Sequence, residues 1–335
     1  MKSFDSLTKR GQIARLRLLA EEALRDYDIG KVVLTPLEHM ANTTFRVDAE
    51  DSQRYVIRIQ NPSSSEAIPQ RREDQVRSEM EWLAALNHDT DLVVPDPVIT
   101  RRSDLLTKVS VEGVPEERVC CVFRWVEGRF LNKSLTPAHI ERVGIFTARL
   151  HEHTTKQFKP SKGFTRLTPD SLSQQVASNI VNNFAAVRPP KDVAIVEAVI
   201  KKVQGVLDAL GTGPDVYGLI HADLHQWNYL FDGNEVRAID FDDCGFAHFL
   251  YDVAVTLFNL LENKDYPQLR AAYFQGYRSV RPLPEEHEAY LETLFAFREL
   301  QMGNWYIEQR NHPAFSNWEG VINYGLGAIK TFAGI

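Results

Sequence analysis

Between Leu219 and Asp243 the chain reads LIHADLHQWNYLFDGNEVRAIDFDD, and its polar residues are spaced for chemistry. Asp223 follows His221-Ala222, and Asn228 comes after four further residues. A strand-like run (Tyr229–Phe231), a turn at Asp232-Gly233-Asn234 and a second strand-like run then lead to Asp240. Transfer of a phosphoryl group to a hydroxyl needs one carboxylate to accept the hydroxyl proton. It also needs side-chain oxygens to hold Mg²⁺ against the phosphates. In this order Asp223 is the candidate base, and Asn228 and Asp240 are the candidate metal ligands. Each residue alone also fits a helix cap or a turn. Asp240 argues for more, because Ile239 and Phe241 flank it and a buried carboxylate is costly without a partner. The ordered set reads as an ATP-dependent kinase.

A rival reading takes His221, Asp223 and His225 as a transition-metal cluster. Residues spaced i, i+2, i+4 meet at one metal only on an extended strand. Structural roles fit better, with His221 bonding to the loop backbone and His225 lining the site.

The elements that must position these residues divide the chain in two. Apolar spacing predicts a helix over 7–27, then strands near 31–34, 43–47 and 55–59. A Pro/Ser loop at Asn61–Pro69 precedes a helix over about 70–86, buried through Val76, Met80, Leu83 and Ala84. Two more strands fall near 105–111 and 119–125. After Glu127-Gly128 the pattern is helical: 137–154, 169–184, 192–210, 250–262, 266–280, 285–310 and 318–332, with the hairpin before Asp240 as the only β structure. The expected fold class is α+β, with an N-terminal nucleotide-binding lobe at 1–124 and a catalytic and acceptor-binding lobe at 125–335. A cleft between such lobes is a favoured place for ligands.

In the first lobe, Arg58 lies in the strand Tyr-Val-Ile-Arg-Ile, and Glu79 on the next helix is its natural partner. The pair would leave Arg58 to reach phosphates. Residues 37–47 contain no glycine, so Asn42 and Thr43 are the candidate phosphate donors in place of a glycine-rich cradle. No G-x-x-x-x-G-K-[ST] sequence occurs, which removes that route to phosphate binding. In the second lobe, Asp242 and Asp243 are either solvated loop charges or an acidic rim that faces a cationic acceptor, and Asp252 is structural. Arg298 and Trp305 share a helix face that is either an acceptor surface or a packing face with a wet rim.

The 335 residues are 44% hydrophobic and 25% charged, with a formal net charge of −7. That balance opposes nucleic-acid or anionic-membrane binding, which normally needs a basic face. Three cysteines, two of them adjacent (Cys120 and Cys121), suit a reduced, cytoplasmic protein. The first residues are too charged for a signal peptide, and no apolar run reaches membrane-spanning length.

Together HADLHQWN, IDFDD and LYDVA, with RYVIRI, SEMEWLAAL and ARLHEH upstream, resemble the aminoglycoside phosphotransferase/choline kinase superfamily, homoserine-kinase-like members included, over about residues 25–330. The resemblance implies a bilobal protein-kinase-like fold, ATP and Mg²⁺ as cofactors, and a small-molecule hydroxyl acceptor. It implies the roles given above for Asp223, Asn228, Asp240, Arg58 and Glu79, and an adenine-holding hinge from Phe123 to Val126. This chain departs from the common pattern in having Arg58 for Lys and Ala41 for Gly. The homoserine-kinase-like branch is favoured, in a monomer or homodimer. The alternatives are a Ser/Thr protein kinase of the bacterial stress-response type and a non-catalytic nucleotide-binding regulator.

Overall fold

A computed structural model describes residues 2–61, 69–311 and 315–334, with the side chains of 69–72 and 133 excepted. Most of the Pro/Ser loop expected at Asn61–Pro69 therefore lies outside the described residues. The chain forms two compact units. The first comprises Met1–Gly128, Phe158–Arg166 and Arg237–Asp242; the second comprises Arg129–Gln157, Leu167–Val236 and Asp243–Ile335.

The first unit is built on a five-stranded antiparallel sheet of Val32–His39 (β1), Asn42–Ala49 (β2), Arg54–Gln60 (β3), Thr107–Val109 (β4) and Arg118–Arg124 (β5), ordered β1-β2-β3-β5-β4. Side chains alternate across a strand, and the alternation sorts this sheet cleanly. Phe45, Val47, Ile57, Ile59, Cys120 and Val122 face the helix Lys9–Leu24 (α1) and share a core with Leu16, Leu19 and Ala23. Arg58 and its cross-strand partner Cys121 lie on the other face, where Glu79 of helix Pro69–Asp89 (α2) meets Arg58. Both sheet faces are thus covered, which is why both adjacent cysteines are buried. Trp82 and Leu86 complete the buried side of α2, whereas Ala84, expected inside, is exposed. That residue lies one step around the helix from the buried stripe.

The second unit holds helices Pro137–Lys156 (α3), Gln174–Ala185 (α4), Pro190–Leu210 (α5), Phe249–Phe258 (α6), Tyr266–Val280 (α7), Leu291–Glu308 (α8) and Trp318–Ala333 (α9). Its expected β content was too low. Tyr217–Ile220 (β6) pairs antiparallel with Gly245–His248 (β9), so a second two-stranded sheet brackets the hairpin of Tyr229–Asp232 (β7) and Glu235–Ala238 (β8). Gly245 suits this place because a Cβ there would sit 2.2 Å from the Leu167 carbonyl oxygen. Three helices are shorter than expected. The Ser173 hydroxyl caps α4, while Asp170 accepts from the His248 backbone at 2.9 Å and so belongs to a loop. A 3₁₀ turn at Glu285–Tyr290 precedes α8, and α6 ends at Phe258. No described helix is long and apolar enough to cross a membrane.

Helices α3 and α7 approach closely through two glycines. A Cβ on Gly144 would lie 2.2 Å from the Tyr273 carbonyl oxygen, and one on Gly276 would lie 2.0 Å from that of Glu141. Neither obstacle can rotate away, because both are backbone. Gly276→Ala is therefore expected to lower stability by about 1–3 kcal/mol or more through overpacking. Gly205→Ala on α5, with nothing within 4 Å of the new carbon, should hold or raise stability through helix propensity. Urea denaturation of the two variants checks the contrast.

Candidate active site

The second unit carries Asp223 on a loop that begins where β6 ends. Ala222 has φ +69°, a left-handed conformation uncommon for a residue with a side chain. The loop is tied down by Asp252 of α6, whose carboxylate accepts from the backbone N–H of His221 at 3.2 Å and of Ala222 at 2.9 Å. Asp252 also meets the His151 ring at 3.0 Å, and the other ring nitrogen of His151 meets the Tyr277 hydroxyl at 2.9 Å. His151, Asp252 and Tyr277 are all fully buried. Burial pushes the His151 pKa down, partly opposed by Asp252. The short helix-to-helix distance permitted by Gly144 and Gly276 thus puts the Tyr277 hydroxyl on the ring that supports the loop.

Asn228, His225 and Arg298 restrain Asp223. The Asn228 amide nitrogen donates to its backbone oxygen at 2.9 Å and to Oδ2 at 3.0 Å. His225 Nδ1 accepts from the Trp227 backbone at 3.2 Å, so Nε2 carries the proton it shares with Asp223 Oδ2 at 3.3 Å. Arg298 of α8 donates to Oδ1. Burial pushes the Asp223 pKa up, but the hydrogen bond from His225 and the positive charge of Arg298, with smaller contributions from the His225 and His221 rings, outweigh it and leave the pKa at about 2. For Arg298, burial opposes the charged form, while Tyr251, Asp223 and Asp243 raise its pKa overall. Both bonds from Asn228 to Asp223 use its amide nitrogen, and neither uses its carbonyl oxygen. His221 is fully buried, and its Nδ1 accepts from the Asp223 backbone. Among the described residues no three His, Cys, Asp or Glu side chains converge to hold a metal ion, so His221, Asp223 and His225 are not such a cluster.

The first unit carries the other candidates. Arg58 and Glu79 form a bidentate pair at 2.9 and 2.6 Å, with side chains 5% and 1% exposed. Burial lowers the Arg58 pKa, yet the Glu79 charge and hydrogen bond keep it well above the ordinary value. The burial expected of Asp240 from its neighbours Ile239 and Phe241 is not found: Asp240 has φ +63° and is exposed, and only Phe241 beside it is buried, edge-on against Trp82 at 5.5 Å. Asp242 is not a solvent-facing rim charge. Its carboxylate takes the Asn42 amide at 2.7 Å, approaches Gln60 at 3.5 Å and Arg58 at 3.7 Å, and its backbone oxygen accepts from Arg166.

The remaining expected residues scatter. Thr43 is buried on the α1 side of the sheet, opposite to Asn42 and Arg58, with its hydroxyl on His39 at 2.7 Å. Phe123 lies under the Arg58 guanidinium at 5.3 Å, and Val126 follows the end of β5, half-buried. Asp243 is exposed. Trp305 packs edge-on against Phe315 at 4.8 Å and Tyr306 at 5.3 Å, in an aromatic cluster. Arg298 and Trp305 therefore share a helix but not their neighbours. Sequence reasoning missed His151, Gln60 and Arg166. The signal for His151 was a polar ring on the apolar stripe of α3; nothing local marked the other two.

Comparison with known proteins follows the same lines. The model of the phosphotransferase enzyme family matches residues 33–290. An amicoumacin kinase of Bacillus subtilis (strain 168) is 27% identical over 251 residues, covering 73% of this chain and 68% of that protein. A homoserine kinase of Methylobacillus glycogenes is 24% identical over 282 residues, covering 80% and 78%. Among solved structures, a microcompartment-associated aminopropanol kinase is 26% identical with a TM-score of 0.78, covering 94% of this chain and 96% of that one. An amicoumacin kinase in complex with AMP-PNP, Ca²⁺ and Ami shares the fold at 20% identity and a TM-score of 0.78, covering 97% and 96%.

Two measurements check the electrostatics. An Asp223 that titrates at about 2, against ~3.9 in the unfolded chain, stabilises the fold above about pH 4, and that contribution is lost as pH falls towards 2. Arg298→Gln removes a charge that holds it down, so the carboxyl resonance of Asp223 should titrate at higher pH in the variant by ¹³C NMR. Glu79→Ala removes the two hydrogen bonds of a buried guanidinium and leaves it only the more distant Asp242, 3.7 Å away, which should cost about 3–5 kcal/mol in denaturant unfolding.

Proposed function

The chain belongs to the phosphotransferase enzyme family, and from that membership and the surroundings of Asp223 we propose that it moves the γ-phosphoryl group of ATP to a hydroxyl of a small molecule with Mg²⁺ as cofactor. The observation that carries the reading is the restraint of Asp223 by Asn228, His225 and Arg298, which holds a carboxylate ionised and oriented at neutral pH. Asn228 and Asp240 offer hard oxygen donors of the kind Mg²⁺ takes together with phosphate oxygens and water. The Arg58 Nε is buried and finds no hydrogen-bond acceptor among the described residues, a spare donor suited to an anionic ligand. Bound Mg²⁺·ATP would supply the transferable phosphoryl group and neutralise the charge that develops on it.

Within that chemistry Asp223 accepts a hydrogen bond from the acceptor hydroxyl and orients its oxygen. With so low a pKa it is a weak base, so its main contribution is alignment, with the proton taken late as the phosphate–oxygen bond forms. Asn228 fixes the Asp223 rotamer through its amide nitrogen, and Asp252 keeps the loop backbone from relaxing. Arg58, held by Glu79, presents a positive charge for the phosphates. Homoserine and aminopropanol, which name two of the relatives, both carry an amine near a hydroxyl. A small amino alcohol or hydroxy amino acid is accordingly the favoured acceptor.

The test is a panel of homoserine, aminopropanol, amicoumacin and an aminoglycoside with Mg²⁺·ATP, followed by ADP release. The wild type should turn over at least one of them, and Asp223→Asn should slow it by about 10²–10⁴-fold while still binding nucleotide. No turnover of any acceptor, or equal turnover by the variant, would overturn the reading.

A further inference from the structure

In the first unit one carboxylate occupies a set of donors arranged by strand register. Asn42 and Gln60 are directly opposed across β2 and β3, and Arg58 precedes Gln60 by two residues. Opposed residues, and residues two apart on a strand, project to the same face. Two neutral amides and one guanidinium therefore share one end of one sheet face. Gln60 and Arg58 are 3% and 5% exposed, so these are built-in donors rather than surface side chains. All three meet Asp242, with Asn42 the closest at 2.7 Å. Arg166 holds the Asp242 backbone oxygen from behind and donates to the Gln75 carbonyl at 2.8 Å, which leaves side-chain rotation as the way to move the carboxylate.

A carboxylate and a phosphate oxygen ask for the same donors, N–H groups beside a positive charge. The β1–β2 turn lacks glycine, so its backbone is a poor cradle, and the side-chain set stands beside it. We propose that Asn42, Gln60 and Arg58 form the phosphate subsite of the nucleotide, and that Asp242 occupies it as a built-in anion until the phosphates displace it. This deepens the phosphotransferase reading and rests on it. Asp242 then sets nucleotide affinity: the phosphates bind only the fraction of molecules in which its side chain has swung away. Removing the negative charge enlarges that fraction. The neutral amide of Asp242→Asn keeps size and shape, so the backbone contact with Arg166 is retained.

The experiment is calorimetric titration of the full chain with Mg²⁺·AMP-PNP and, separately, with AMP, which lacks the β- and γ-phosphates. Asp242→Asn should bind Mg²⁺·AMP-PNP about tenfold tighter, as expected if the competing state holds about nine molecules in ten, with AMP unchanged. Gln60→Leu should loosen Mg²⁺·AMP-PNP and leave AMP unchanged. Binding of Mg²⁺·AMP-PNP to Asp242→Asn that is equal to or weaker than wild type, or an equal tightening of AMP, would overturn the proposal. Should the variants fold poorly, the wild type still decides: the side-chain amide resonances of Asn42 and Gln60 should move on adding Mg²⁺·AMP-PNP and stay put on adding AMP, and unmoved resonances would count against it. Wild-type turnover is a separate measurement. Tighter binding without turnover would keep the subsite and remove the phosphotransfer reading, whereas turnover with weakened binding in Asp242→Asn would do the reverse.

Discussion

A single buried carboxylate, Asp252, fixes the loop on which the candidate base sits. It accepts two backbone N–H groups, from His221 and Ala222, and meets the His151 ring, all away from solvent. A buried ion without partners is costly, whereas one that satisfies donors in this way is stabilising. The donors are satisfied only while Ala222 keeps its left-handed conformation, which on its own would cost about 1–3 kcal/mol. Asp223 is therefore held by a strained backbone whose strain is offset one residue away. The chain of contacts continues through His151 to Tyr277 and to the glycines that bring α3 and α7 together. Helix packing far along the sequence is thus joined to the loop by direct contacts.

The first unit answers with its own buried ions. Arg58 and Glu79 meet through two hydrogen bonds, and Asp242 lies 3.7 Å from the same guanidinium. Both units thus place ionised groups where burial opposes them and neighbouring charges prevail: Arg58 beside Glu79 in one, Asp223 beside Arg298 in the other. Partly buried pairs are weakly screened by salt, so their geometry persists across conditions that would loosen surface ion pairs.

How much of this was legible in the sequence depended on how local each signal was. The spacing of Asp223, Asn228 and Asp240 lies within one short stretch, and the Arg58–Glu79 pair was readable only with that stretch in place, since alone the two residues fit a surface strand and a solvated helix face equally well. The antiparallel sheet and most helices were equally readable from periodicity. The β6–β9 pair was not, because two strands of four residues joined across 24 intervening positions leave no periodic trace. Arg298 reaches Asp223 from 75 residues away, and its helix spacing suggested only a shared face with Trp305. Asp242 read as a rim charge because its partners, Asn42 and Gln60, lie about 200 and 182 residues upstream. Thr43 was drawn to the wrong face by its neighbour: one step along a strand reverses the side chain.

The central claim is that this chain transfers a phosphoryl group to a hydroxyl rather than to water or not at all. The most direct measurement is ³¹P NMR of the wild-type protein with Mg²⁺·ATP and an amino-alcohol acceptor. The account predicts a phosphomonoester resonance that grows one-for-one with ADP. Inorganic phosphate in its place, or an unchanged ATP spectrum, would contradict it.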